Sequence, residues 1–93
     1  MITKKLNSMP YANAKVLIYS DNSIELISYK TLVCAISPQG FVKCFGLFSQ
    51  TTRKHISAFA KEYCSPLNYY DIKRAYEEGY AINYETGEIM FFE

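Results

Sequence analysis

The 93-residue chain predicts an α+β domain, an antiparallel sheet with two helices packed on it in the order ββββααββ. Three observations predict it. Apolar residues alternate with a period of two as far as Phe45; the period lengthens to that of a helix between Ile56 and Tyr76; and it returns to two after Gly79.

Residues 1–13 show no sustained period and read as an N-terminal arm or loop, leaving 14–93 as one domain. Residues 15–19 (Lys-Val-Leu-Ile-Tyr) and 24–29 (Ile-Glu-Leu-Ile-Ser-Tyr) read as strands. Between them, the side chains of Ser20, Asp21, Asn22 and Ser23 can bond their own backbone and so form a turn. Residues 32–36 and 41–45 flank Ser37-Pro38-Gln39-Gly40, where Pro presets one turn dihedral and Gly supplies a positive one. Four consecutive strands of this kind predict a meander.

Ile56, Phe59, Ala60 and Tyr63 then fall at i, i+3, i+4 and i+7, the apolar stripe of a helix. Ser49, Thr51 and Thr52 are competent caps at its start, and Ser65-Pro66 ends it because the residue before Pro avoids helical dihedrals. A second helix is bracketed by Asn68 as N-cap and Gly79 at the left-handed C-terminal position, with Leu67 and Ile72 as a hydrophobic staple. Tyr69, Ile72, Ala75 and Tyr76 form its apolar side. A last hairpin joins residues 80–84 to 89–92 through Glu85-Thr86-Gly87. The expected sheet is thus a four-stranded meander plus a C-terminal hairpin.

Composition bounds the function. Ten Lys and Arg against nine Asp and Glu exclude a strongly basic nucleic-acid arm and a heavily acidic DNA mimic. The balance hides an asymmetry: residues 1–61 hold eight cations against two anions, a net +6, and residues 62–93 hold two against seven, a net −5. If folding preserves that segregation, a charged partner is steered to one side. Nine Tyr and no Trp suit a shallow core and a contact surface equally. No run approaches the ~18 apolar residues of a membrane span. No apolar stretch behind Lys4-Lys5 reads as a secretory signal, and three cysteines cannot all pair, so a cytoplasmic protein with reduced thiols is expected.

Several residues are candidates for chemistry. Thr51, Thr52, Arg53, Lys54 and His55 gather hydroxyls, two cations and the sole His at a helix start. The helix dipole disfavours cations there, whereas an anion such as phosphate or carboxylate is favoured. The simpler reading of Arg53 and Lys54 is as solvated cations that pair with acids elsewhere. His55 borders the apolar stripe, where it either packs as a hydrogen-bonded core residue or meets an acidic partner. Cys34, Cys44, His55 and Cys64 are zinc-competent types, but His55 and Cys64 lie about 13.5 Å apart along one helix and cannot converge. Cys34 and Cys44 oppose each other if their hairpin loop has three residues. A zinc ion at that pair is not favoured, and no cofactor is expected. Phe41 and Phe45 beside Lys43 echo a base-stacking surface, against which the near-neutral charge weighs. There is no phosphate loop, nucleophile elbow or carboxylate dyad, so no enzyme is expected.

Residues 45–59, Phe-Gly-Leu-Phe-Ser-Gln-Thr-Thr-Arg-Lys-His-Ile-Ser-Ala-Phe, resemble a run found in a family of small phage and mobile-element proteins of unknown function. That run is aromatic-Ser-x-Thr-Thr-x-x-His-Ile-x-x-Phe. Gly79-Tyr80-Ala81-Ile82-Asn83 and Thr86-Gly87-Glu88 are similar to its C-terminal elements. The resemblance implies a phage-type protein in the host bacterial cytoplasm. By analogy with small phage proteins that counter host defence, it implies an anti-CRISPR-like inhibitor of a Cas9-type nuclease acting by direct binding. Exposed aromatic and charged residues are the natural anchors of such an interface, here Arg53, Lys54, His55, Tyr69, Tyr70, Glu77 and Glu78. The alternative is a phage accessory module that binds nucleic acid or phosphate at residues 51–55.

Overall fold

Strand order in the sheet follows strand order in the chain. The computed structural model, which describes residues 1–92, contains β1 (Ile2–Lys4), β2 (Ala14–Ile18), β3 (Ile24–Ser28), β4 (Thr31–Ile36), β5 (Phe41–Cys44), α1 (Gln50–Tyr63), α2 (Tyr69–Glu78), β6 (Tyr80–Asn83) and β7 (Ile89–Phe91). All neighbours pair antiparallel in one seven-stranded sheet. Two expectations are corrected here. The predicted arm contains a strand, β1, so the order is βββββααββ in place of ββββααββ, and the meander runs on into the C-terminal hairpin, because β6 pairs with β5 through Phe41↔Asn83 and Val42↔Ile82. The helices are an insertion between two neighbouring strands.

The turns form for the reasons the residues suggest. Asp21 accepts bonds from the Ser23 backbone and hydroxyl, while Asn22 takes a left-handed φ of 73°. Between β4 and β5 a three-residue loop, Pro38-Gln39-Gly40, ends on Gly40 at φ 99°, whose N–H donates to Ser37 C=O at 2.9 Å, a left-handed closing residue common in three-residue hairpins. A β-bulge shifts register between Leu26 and Ile27, leaving consecutive Val33 and Cys34 both buried.

Ser49 caps α1 by accepting from Thr52 N–H at 3.2 Å. At α2, Asn68 accepts from Asp71 N–H while Asp71 accepts from Asn68 N–H, a reciprocal capping box, and Gly79 ends the helix at φ 82°. Tyr76, expected on the buried side, sits at its margin and is exposed.

Both helices cover one face of the sheet, α1 over β3 and β4, α2 over β5 and β6. Val16, Leu26, Cys34, Val42 and Cys44 from the sheet meet Ile56, Phe59, Ala60 and Ile72 from the helices in one core. Leu6, just beyond β1, is fully buried in it. The Glu62 carboxylate of α1 accepts from the Asn7 and Ser8 backbone N–H groups, at 2.7 and 3.2 Å, and from the Ser8 hydroxyl. These bonds and Leu6 fasten the N-terminal segment to α1. Among the described residues, no helix is long and apolar enough to cross a membrane.

Candidate functional site

The helix start predicted as an anion or partner site is divided between inside and outside. Thr51, Arg53 and Lys54 are exposed, whereas Thr52 and His55 retain 4% and 1% exposure. Buried Ser28 at the end of β3 joins them, its hydroxyl 2.8 Å from His55 Nδ1 and 3.1 Å from Thr52 Oγ1. The Tyr29 ring, held by a left-handed backbone (φ 58°), covers His55 with centroids 5.9 Å apart. Burial pushes the His55 pKa below its ordinary value. Thr52 and His55 therefore clamp α1 to β3 and leave the candidate contact surface, since neither reaches solvent.

The α2 candidates lie on a separate surface. Tyr70 is exposed and packs edge-on against half-buried Tyr69, whose buried hydroxyl has no hydrogen-bond partner. Glu77 and Glu78 pair with Lys73 and Arg74 one turn earlier, at 3.5 and 3.1 Å. These carboxylates are thus partly neutralised within their own helix. Among the described residues, no hydrogen bond or ion pair links this surface to Arg53 or Lys54.

Cys34 and Cys44 do oppose each other, as the three-residue loop requires. Cys64 is buried too, and burial pushes its thiol up to about 12. Among the described residues, no three His, Cys, Asp or Glu side chains converge as metal ligands, so Cys34 and Cys44 lack the further donors a zinc site needs.

A concavity lies on the face opposite the helices. There the cross-strand row Leu17, Glu25, Ala35 and Lys43 runs over β2 to β5, and Ala81 pairs with Met90 over β6 and β7. A groove of about 540 Å³ opens on this face, floored by Ala35, Phe41 and Ala81 and walled by Met90 and Phe92. The Lys43 ammonium sits 4.2 Å from the Phe92 ring centre and 5.1 Å from that of Phe45, within cation–π range. Across the groove, the Glu25 carboxylate accepts the Tyr19 hydroxyl, a bond that raises the Tyr19 pKa. Phe45, Met90 and Phe92 remain 41%, 51% and 41% exposed. An apolar trough with one cation and one anion at its margins suits a side chain or short segment of a partner. Phe41, Lys43 and Phe45 were visible in the sequence as a possible stacking surface; Tyr19, Glu25, Met90 and Phe92 join them only through the sheet register.

Because the sheet keeps chain order, with α1 packed on β3 and β4 and α2 on β5 and β6, residues 1–61 and 62–93 occupy mostly different strands and helices, although Glu62 sits against Asn7 and Ser8. The ion pairs among the described residues use Lys73 and Arg74, and none uses the eight cations of residues 1–61. Lys5, Lys15 and Tyr29 line one shallow hollow; Lys54 and Lys61 line another.

No curated protein and no solved structure matches the chain. A family of unknown function, DUF8033, matches residues 3–75, from β1 through most of α2, and takes in the Thr52–His55 clamp but not β6 and β7. The chain belongs to that family.

Proposed function

We propose that the protein is a non-enzymatic binding module that engages a protein partner through the uncovered face of its sheet. The observation that carries this reading is the groove itself. In a small domain whose other face is packed under two helices, three exposed large apolar side chains (Phe45, Met90 and Phe92) cluster around an apolar trough. Contiguous exposed apolar surface of this kind marks interaction sites, and aromatic anchors in pockets dominate interface energies. The first partner to test is a Cas9-type nuclease in the bacterial cytoplasm, inhibited by occlusion, a choice that comes from the phage-protein resemblance. Pull-down with and without guide RNA, together with a DNA-cleavage assay, tests it. Binding and protection of the DNA support the proposal; absence of both ends the nuclease reading.

A second reading rests on a different observation. The eight cations of residues 1–61 make no ion pair among the described residues and favour a polyanion on the part of the fold that carries them, with Arg53 and Lys54 contributing from α1. Titration with single- and double-stranded DNA across salt separates the readings. A steep salt slope that flattens on Arg53→Ala or Lys54→Ala supports nucleic-acid binding; salt-insensitive or absent binding removes it.

A further inference from the structure

The β4–β5 hairpin places Cys34 directly opposite Cys44. Opposed residues in an antiparallel ladder alternate between pairs that exchange backbone hydrogen bonds and pairs that do not. Phe45 N–H donates to Val33 C=O at 2.8 Å, and Ser37 N–H donates to Phe41 C=O at 2.9 Å. Val33/Phe45 and Ser37/Phe41 are therefore bonded pairs. Counting inward from either end, Ala35/Lys43 is also a bonded position and Cys34/Cys44 is a non-bonded one. Non-bonded pairs bring their α-carbons to about 4.5 Å and their side chains closer still. A disulfide spans α-carbon separations of about 4.4–6.8 Å, so the register of this pair suits a cross-strand disulfide.

The two thiols are not equivalent. Cys34 is fully buried; Cys44 keeps 5% exposure at the end of β5, ahead of a stretch without regular structure. Interaction with Cys34 draws the Cys44 pKa down, while the same contact and burial push Cys34 up. The Cys44 thiol otherwise donates only to Gly46 C=O, at 3.4 Å.

We propose that Cys34 and Cys44 are a modification site, a dithiol that closes to a cross-strand disulfide on exposure to a peroxide. The Cys44 thiolate attacks one peroxide oxygen, the O–O bond breaks, and Cys44 becomes a sulfenic acid as the departing hydroxide takes a proton and leaves as water. The Cys34 sulfur then attacks the Cys44 sulfur, the S–O bond breaks, and a second water departs with the Cys34 proton. Two thiols lose two electrons in all, and one hydrogen peroxide becomes two waters. Ala35 and Lys43, the adjacent opposed pair, lie on the other face of the sheet in the groove, so the bond would staple the groove floor from behind. This inference stands independently of any partner.

The test treats the folded full-length protein with hydrogen peroxide, unfolds it in the presence of iodoacetamide, and reads intact mass and a peptide map. The expected result is a fall from three alkylated thiols to one, at Cys64, with a Cys34–Cys44 linked peptide that dithiothreitol reverses. The wild-type peptide map is decisive even if core substitutions perturb folding. Cys64→Ser, checked for native circular dichroism, should retain the linkage. Three alkylatable thiols after treatment, a linkage through Cys64 or between molecules, or stable over-oxidation of Cys44 without a bond would each overturn the proposal.

Discussion

Replacing Ser28 by alanine removes the hydroxyl on which the α1 clamp converges. Ser28, Thr52 and His55 keep 2%, 4% and 1% exposure, so water does not readily replace the lost group. Thr52 retains its contact with Ser49, at 3.2 Å, whereas His55 Nδ1 loses its 2.8 Å partner. An orphaned buried polar group costs about 1–3 kcal/mol, and the weakened Thr52 contact adds about 0.5–1 kcal/mol. The expected loss is about 1.5–4 kcal/mol. A domain of this size has a total stability of only about 5–14 kcal/mol, and such a loss lowers Tm by roughly 6–30 °C. Urea denaturation followed by circular dichroism measures it. A double-mutant cycle with His55→Leu sharpens the test. Once the imidazole is gone, Ser28→Ala should cost at least about 1 kcal/mol less than in the wild type. Additive losses, or a Ser28→Ala cost below about 0.5 kcal/mol, would refute the clamp.

Three further outcomes follow from buried or capping groups. The folded state holds His55 below its unfolded pKa, so the unfolded chain binds the proton first as pH falls. The stability from neutral His55 is therefore complete above about pH 6.5 and declines as pH falls below it; urea midpoints should drop between pH 7 and 5 in the wild type and less in His55→Leu. Asn68→Ala breaks the α2 capping box and should cost about 1 kcal/mol in urea denaturation, with Asn68→Ser recovering most of it. Asn83, 5% exposed, donates to Gln39 C=O at 2.9 Å and accepts from Glu85 and Thr86 N–H. Asn83→Ala should cost about 2–3 kcal/mol by thermal melting, and Asn83→Asp no less, because a carboxylate oxygen would then face Gln39 C=O where the amide now donates.

The legible parts of the fold are those written locally. The β2–β3 turn follows from Asp21 and Asn22, the three-residue hairpin from Pro38 and Gly40, and the bounds of α2 from Asn68 and Gly79. What stayed hidden depends on residues distant in the chain. β1 is three exposed residues with too little pattern to announce a strand. Its attachment comes from Leu6 entering the core and from Glu62, more than fifty residues away. The same holds at the sites. The edge position of His55 favoured a packed, hydrogen-bonded imidazole without excluding contact, and Ser28, 27 residues earlier, decides for burial. The groove exists because register brings Glu25, Lys43 and Met90 to one face, while Phe92 arrives from the C-terminal hairpin. Charge segregation was visible in the sequence, but only the chain-order sheet places its two parts on mostly different strands and helices.

The central claim, that the uncovered sheet face is the contact surface, is tested most directly by comparing Phe92→Ala with Arg53→Glu in binding and cleavage assays against a Cas9-type nuclease. Phe92 is 41% exposed, and its truncation should leave folding stability within about 1 kcal/mol of wild type. The account predicts that wild type protects DNA, that Phe92→Ala weakens binding by about 30-fold, as losing an aromatic anchor worth about 2 kcal/mol would, and that Arg53→Glu changes it little. Undiminished binding by Phe92→Ala alongside loss on Arg53→Glu would contradict it and move the contact surface to α1.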